Sequence, residues 1–261
     1  MDRKENEEVE GVMSAEQQAS FDAEQASSAR YAKYVLFVLI IVYIFNFIDR
    51  QILSILAEEI KADLGIGDAE IGFLYGTAFA IFYAVFGIPL GRLADMWNRK
   101  KLISMGLSFW SLMTAMSGFA QNFGSLAFCR FGVGVGEASA TPAAFSMLSD
   151  YFSPKVRASV LAIYSSGIYL GSGIGLFLGG AIVHTWHGWY PDPTLAPLGI
   201  KAWQAAFLAV GIPGILMAFW VWTLREPVKG ASEGILTPSH PAPFKAAGSS
   251  LMSVLPGFSI V

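Results

Sequence analysis

Four ionisable side chains lie deep inside apolar runs: Asp49 and Arg50 near the end of the first run, Arg130 and Glu137 in the fourth. In hydrocarbon each such group costs several kcal/mol unless it is paired or faces water, so intramembrane charges mark ion, proton or substrate paths. At about 1.5 Å of rise per residue, Asp49 lies roughly 22 Å from the start of its run near Tyr34. Counting back from Leu148, Glu137 lies roughly 16 Å deep and Arg130 roughly 27 Å. Seven residues separate Arg130 from Glu137, about two turns, so both leave one face of their helix. If the first and fourth runs are neighbours, two acids and two bases form one neutral cluster. A buried carboxylate there is pulled toward protonation by desolvation and away from it by the arginines, so its charge follows what the arginines do. That is the chemistry of coupling. The plainer reading is a salt-bridge network that only fixes helix register.

The elements that must position these groups are membrane helices. The 261-residue chain is 54% apolar and 14% charged, with mean hydropathy +0.51. A bilayer core of about 30 Å takes about 20 residues of helix. Six stretches qualify, at about 34–57, 70–91, 102–120, 124–148, 158–183 and 202–224. They are too long for strands, and no alternating pattern suggests a barrel. The predicted class is therefore an all-α membrane protein, a six-transmembrane-helix bundle. Three parts are expected: an acidic tail over 1–29, disordered or marginally helical; the bundle over 30–229; and a Gly, Ser, Pro and Ala-rich linker over 230–261, turning apolar again from 250 as if a seventh helix began there. The tail has no apolar run and so is not a signal peptide.

Lys and Arg near the helix ends set the orientation. One side holds Arg30, Lys33, Arg92, Arg99, Lys100, Lys101, Lys155, Arg157, Arg225 and Lys229, the other only Lys61 and Lys201. Both termini are expected in the cytoplasm, in a bacterial inner membrane or its equivalent.

Two further patterns bear on motion. Gly91-x-x-x-Asp95-x-x-x-Arg99 follows the second run, where glycine permits close helix approach and a carboxylate can cap a neighbouring helix; the plainer reading is a basic turn obeying the orientation rule. In the fifth run Gly167, Gly171, Gly175 and Gly179 recur every four residues, with Gly173 and Gly180 beside them, which favours a close-packed face over a sliding surface. Gly132-x-Gly134-x-Gly136 lacks the strand and βαβ unit of a dinucleotide loop. His184 and His187 have metal-like spacing but no third ligand nearby. Cys129 is the only cysteine, so no intrachain disulfide can form. No nucleophile, base and acid converge, and neither an enzyme, a cofactor, a metal nor a nucleic-acid partner is expected.

Residues 30–229 resemble the major facilitator superfamily. The resemblance rests on Asn46-Phe47-Ile48-Asp49-Arg50-Gln51 and on the loop after the second run, where Asp95 and Arg99 are in register with the superfamily's first signature. Asn98 stands where that signature has glycine, and Ser172 where the antiporter signature has proline. Within the superfamily the closest likeness is to Spinster-like transporters. It is carried by Trp97-Asn98-Arg99-Lys100, Ser108-Phe109-Trp110-Ser111, Arg130-Phe131-Gly132-Val133-Gly134-Val135-Gly136-Glu137-Ala138-Ser139, Gly171-Ser172-Gly173-Ile174-Gly175 and Arg225-Glu226-Pro227. The resemblance implies the N-terminal half of a secondary transporter whose other six helices are its partner, with helices 1 and 4 lining a central cavity. It implies a proton-coupled cycle moving sphingosine phosphates or lysophospholipids across the bilayer. A small organic-anion and proton symporter of the same superfamily, or a six-helix scaffold without transport, are the alternatives. The expected roles are proton coupling for Glu137, with Asp49 second because it lies close to both arginines, and substrate binding for Arg50 or Arg130. Gly91, Asp95 and Arg99 would form a gating motif. One bundle supplies one wall of an alternating-access site, so this chain alone is expected not to transport.

The orientation is tested by cysteine labelling in intact cells carrying Cys129→Ser. Thr194→Cys should react with an impermeant maleimide from outside and Ser232→Cys should not; the reverse pattern would invert the topology.

Overall fold

The computed structural model describes residues 15–230 and Ser232, and among these every regular element is helical. The first run forms α1 (Ala15–Ile55), followed by the short α2 (Ala57–Leu64) and α3 (Asp68–Gly72). A π turn over Phe73–Thr77 leads into α4 (Ala78–Met96). Then come α5 (Arg99–Ser117), α6 (Phe123–Glu137), α7 (Ala140–Tyr151), α8 (Pro154–Ser165), α9 (Gly167–Trp189) and α10 (Ala202–Trp222). The ten labels make six rods, because α1–α2, α3–α4, α6–α7 and α8–α9 each continue across a local irregularity. Of the expected tail, residues 1–14 lie outside the described residues, and 15–29 belong to α1. The linker lies outside them too, apart from Gly230 and Ser232, as does the seventh helix expected from residue 250.

Four rods are long and apolar enough to cross a membrane by their own composition: Ser28–Ile55, Asp68–Met96, Pro154–Trp189 and Ala202–Trp222. The third and fourth spans fall short because α5 carries Arg99, Lys100, Lys101, Ser104, Ser108, Ser111, Thr114 and Ser117, and the fourth rod pauses at Ala138–Ser139. Packing shows what these rods do. Next to the start of α5, Arg99 Nε meets Glu226 beyond the end of α10 (2.8 Å), while at its other end Gly118 lies against the backbone of Gln204 at the start of α10. α5 therefore runs antiparallel to α10 along its whole length and traverses the same depth. Two of its hydroxyls turn inward: Ser104 Oγ donates to the Ala218 carbonyl at 2.7 Å and Ser117 Oγ to the Met113 carbonyl at 3.1 Å, which satisfies groups that lipid could not. The starts of α5 and α6 are set by Asn98 and Asn122, whose side chains accept from Lys101 N (3.0 Å) and Ser125 N (2.9 Å).

Two apolar clusters fill the bundle. One is built from Val35 to Val42 of α1 with Leu107, Trp110, Met147 and Val221; the other from Ile48 to Ile60 with Leu126, Trp203 and Phe207. Between them lies a polar layer of buried Asn46, Asp49, Thr114 and Arg130.

The glycine ladder of α9 packs on α1 one turn at a time. A Cβ at Gly171 would stand 2.6 Å from the Ile44 carbonyl oxygen, at Gly175 3.1 Å from Ile48 Cα, and at Gly179 2.8 Å from Ile55; Gly167 faces Tyr43 at 3.2 Å. Gly173 and Gly180 have nothing within 4 Å. Absence of a side chain lets two backbones touch and brings α1 to a fixed height. No atom lies within 4 Å of a Cβ placed at Gly91, whose face of α4 meets no neighbour there among the described residues.

Gly171→Ala should cost about 1–3 kcal/mol of stability, the range for overpacking a tight contact. Gly173→Ala, on open surface, should be neutral or stabilising. Thermal unfolding in detergent compares them; equal losses would contradict the ladder.

Candidate functional site

Asp49 and Arg50 are consecutive, so about 100° of helix rotation separates them and they cannot share a face. Asp49 turns toward α5 and α6. Its Oδ1 accepts from Arg130 Nη1 at 3.1 Å, and its Oδ2 accepts the hydroxyl of Thr114. Arg50 turns the other way, and its Nε donates to Glu137 Oε2 at 2.8 Å. α1 and α6 are thus tied by two crossed ion pairs, in each of which one helix supplies the acid and the other the base. All four predicted residues meet in one neutral cluster. The expected partition differs in one respect: Glu137 is not poorly neutralised, because the Arg50 assigned by adjacency to Asp49 is its partner.

The two pairs are unlike in access. Asp49 and Arg130 are both almost fully enclosed, whereas Glu137 is wholly buried while the Arg50 side chain is 27% exposed. Arg50 is also wrapped by aromatic rings, its guanidinium carbon lying 4.5 Å from the Phe79 centroid and 5.1 Å from those of Phe47 and Tyr83. Rings hold a cation without neutralising it, so Arg50 keeps its place if its carboxylate leaves. Gln51, next along α1, reaches Ser172 of α9 at 3.4 Å. Three polar atoms in the layer have no hydrogen-bond partner: Asn46 Oδ1, Arg130 Nε and Glu137 Oε1. A buried lone acceptor on the carboxylate that faces the accessible arginine is the kind of unsatisfied group that needs a functional account.

A second polar centre lies at the opposite end from the α2 turn. Arg99, one of the three residues of the expected gating motif, is only 1% exposed. Its Nη1 contacts Asp150, the Ser146 carbonyl (3.2 Å) and Ser146 Oγ (3.1 Å), while Nη2 donates to the Pro227 carbonyl at 2.8 Å. Glu226 adds its carboxylate as a cap on α5, accepting from Arg99 N at 3.0 Å and Lys100 N at 2.9 Å. Gly230 N donates to Asp150 Oδ1 at 3.0 Å, which straps the segment after α10 across this end. Asp95 remains exposed, and its backbone carbonyl accepts from Lys229 Nζ. Burial, with help from nearby Arg99, lowers the Lys229 ammonium below the usual lysine value. Within this chain Arg99 is therefore grouped with Asp150 and Glu226, not with Asp95 and Gly91.

Sequence reading missed Thr114, Asp150 and the three rings around Arg50. Spacing held no signal for Thr114. Asp150 could have been suspected, since an acid near a helix end faces a buried arginine more readily than lipid. His187 stands 3.6 Å from Glu59, and no group of three metal-capable ligands occurs among the described residues.

Comparison with known proteins agrees with this architecture. The family model of the Major Facilitator Superfamily matches residues 39–259. An MFS-type efflux pump of Mycolicibacterium smegmatis is 35% identical over 178 residues, covering 68% of this chain and 38% of that protein. A probable L-galactonate transporter of Escherichia coli is 28% identical over 184 residues, covering 70% of this chain and 37% of that one. The crystal structure of a bacterial homolog to the human lysosomal transporter Spinster, inward-facing and occupied, superposes with a TM-score of 0.72 at 38% identity, over 78% of this chain and 46% of the other. The chain spans less than half the length of these relatives. It belongs to the Major Facilitator Superfamily, as a six-helix bundle answering to the N-terminal half of that fold and similar in sequence to its Spinster-like members.

Proposed function

We propose that the chain forms one wall of a proton-coupled transporter for an amphipathic anion, of the lysophospholipid or sphingosine phosphate kind, in a bacterial inner membrane or its equivalent with both ends cytoplasmic. The bundle over 30–229 supplies the four-charge site, and a second six-helix bundle supplies the facing wall. The observation that carries this reading is the asymmetry of the two ion pairs. Asp49 and Arg130 are closed off and serve as the fixed pair. Arg50 is the base a solute can reach, and its buried partner Glu137 keeps one oxygen free.

An anionic head arriving at Arg50 competes with Glu137 for the guanidinium. If the head takes Arg50, the buried Glu137 loses its charge partner, and a proton replaces that partner. Neutral Glu137 and an occupied Arg50 then move together; loss of the proton restores the ion pair and expels the anion. Substrate and proton are linked because both act on one hydrogen bond. Phe47, Phe79 and Tyr83 beside Arg50 offer apolar surface to a lipid-like body. Arg130 is withdrawn as a head-group ligand in this mechanism because Asp49 and the bundle enclose it. Gly91, Asp95 and Arg99 keep the proposed gating role, with Asp150 and Glu226 as the partners that release Arg99 when that end opens.

A second reading is a small organic-anion symporter. It is favoured by the similarity to the probable L-galactonate transporter, by the Gln51–Ser172 hydrogen bond one residue along α1, and by Tyr43, whose ring meets that of Phe47 beside the same arginine.

Proteoliposomes holding the transporter complete with its second bundle separate these steps. Glu137→Gln should abolish the pH dependence of transport while substrate binding persists, and Arg50→Ala should weaken binding about tenfold or more, the worth of a hydrogen bond to a charged group. An unchanged pH profile in Glu137→Gln would move the proton to Asp49. Competition by a lysophospholipid but not by a sugar acid favours the first reading, and the opposite the second.

A further inference from the structure

The surface of the bundle carries a groove unrelated to the four-charge site. It lies between α5 and α10, encloses about 590 Å³, and is walled by exposed Met105, Phe109, Leu112, Phe219 and Trp222 with Ser108 between them. Residues 101, 105, 108 and 112 follow one another at three- and four-residue steps, so they form one stripe of α5. Thr114, which serves Asp49, leaves the helix about 200° away from Leu112, on the opposite side.

Lys101 begins that stripe. Its ammonium stands 5.9 Å from the Trp222 ring, at the end of the groove, and no carboxylate lies within ion-pair distance of it among the described residues. The two basic neighbours are occupied: Lys100 Nζ donates to the carbonyls of Trp222 (3.3 Å) and Leu224 (2.6 Å), and Arg99 is held by Asp150 and Glu226. One cation is thus left over where helix ends meet head groups. From Lys101 to Leu112 the stripe is about 16 Å long, and one leaflet of a bilayer core is about 15 Å deep. A groove that deep, apolar along its length and cationic at its mouth, has the dimensions and polarity of one phospholipid.

We propose that this groove binds an anionic phospholipid of the leaflet on the Lys101 side, with its phosphate on Lys101 and one acyl chain between Leu112 and Phe219. The lipid completes the α5–α10 surface and is not the transported solute, since none of the residues around Arg50 line the groove. Charge selects the head and the apolar channel retains the chain, so both parts are needed.

Native mass spectrometry of the full chain in detergent, titrated with phosphatidylglycerol and with phosphatidylcholine of identical acyl chains, tests the proposal. The wild type should retain one phosphatidylglycerol about fivefold more tightly than phosphatidylcholine, the worth of one basic residue at a membrane surface. Lys101→Gln should lose that preference, Lys101→Arg should keep it, and Lys33→Gln, elsewhere on the same end, should leave it unchanged. Dihexanoyl phosphatidylglycerol, which has the head but not the length, should not be retained. The proposal fails if the wild type retains no lipid, if Lys101→Gln keeps the preference, if the short-chain lipid is held equally, or if the groove is instead closed by a second copy of the chain, seen as dimers that exclude lipid.

Discussion

The structure depends on two ion pairs set within an apolar bundle. Burying four charges in an apolar bundle costs more than any single contact there returns, and it is sustained only because each acid is met by a base from the facing helix. Asp49 with Arg130 and Arg50 with Glu137 cross between α1 and α6, so neither helix can slide or rotate without separating both pairs. The apolar clusters divide around this layer, and Thr114 of α5 is the third wall that completes the Asp49 end.

The glycine ladder is the other half of the same constraint. α9 touches the α1 backbone at Ile44 and Ile48, which fixes the height of α1, and therefore the height at which Asp49 and Arg50 emerge. Near contact between two backbones tolerates no adjustment, whereas the aromatic shell on Arg50 tolerates a change of partner. One pair is enclosed and the other is reachable, and the proposed coupling rests on that difference between two similar salt bridges.

Hydropathy made the rods legible, because lipid leaves a run of about 20 residues little choice but helix. It was weakest for α5, where Ser104, Ser111 and Ser117 are interior to the bundle and so read as polarity without position. The four charges were legible from cost alone: nothing but function or pairing keeps Glu137 in such a segment. Their partnership was not, since adjacency suggested that Asp49 and Arg50 share surroundings while helix rotation sends them apart. The α9 glycines could be read as a packing face from their period, but the identity of α1 as the partner needed coordinates. The partners of Arg99 were hidden for a related reason: Asp150 and Glu226 lie 51 and 127 residues away along the chain.

The central claim is that the charges stand as two mutually neutral pairs, and a double-mutant cycle on the enclosed pair tests it most directly. The measurement is unfolding in detergent of Asp49→Leu, Arg130→Leu and the double variant. Each single change should destabilise the bundle by about 3–5 kcal/mol, because it strands a buried charge, and the double change should recover most of that loss. A double variant as unstable as the sum of the two single changes would mean that Asp49 and Arg130 are not each other's partner, and the account would fail.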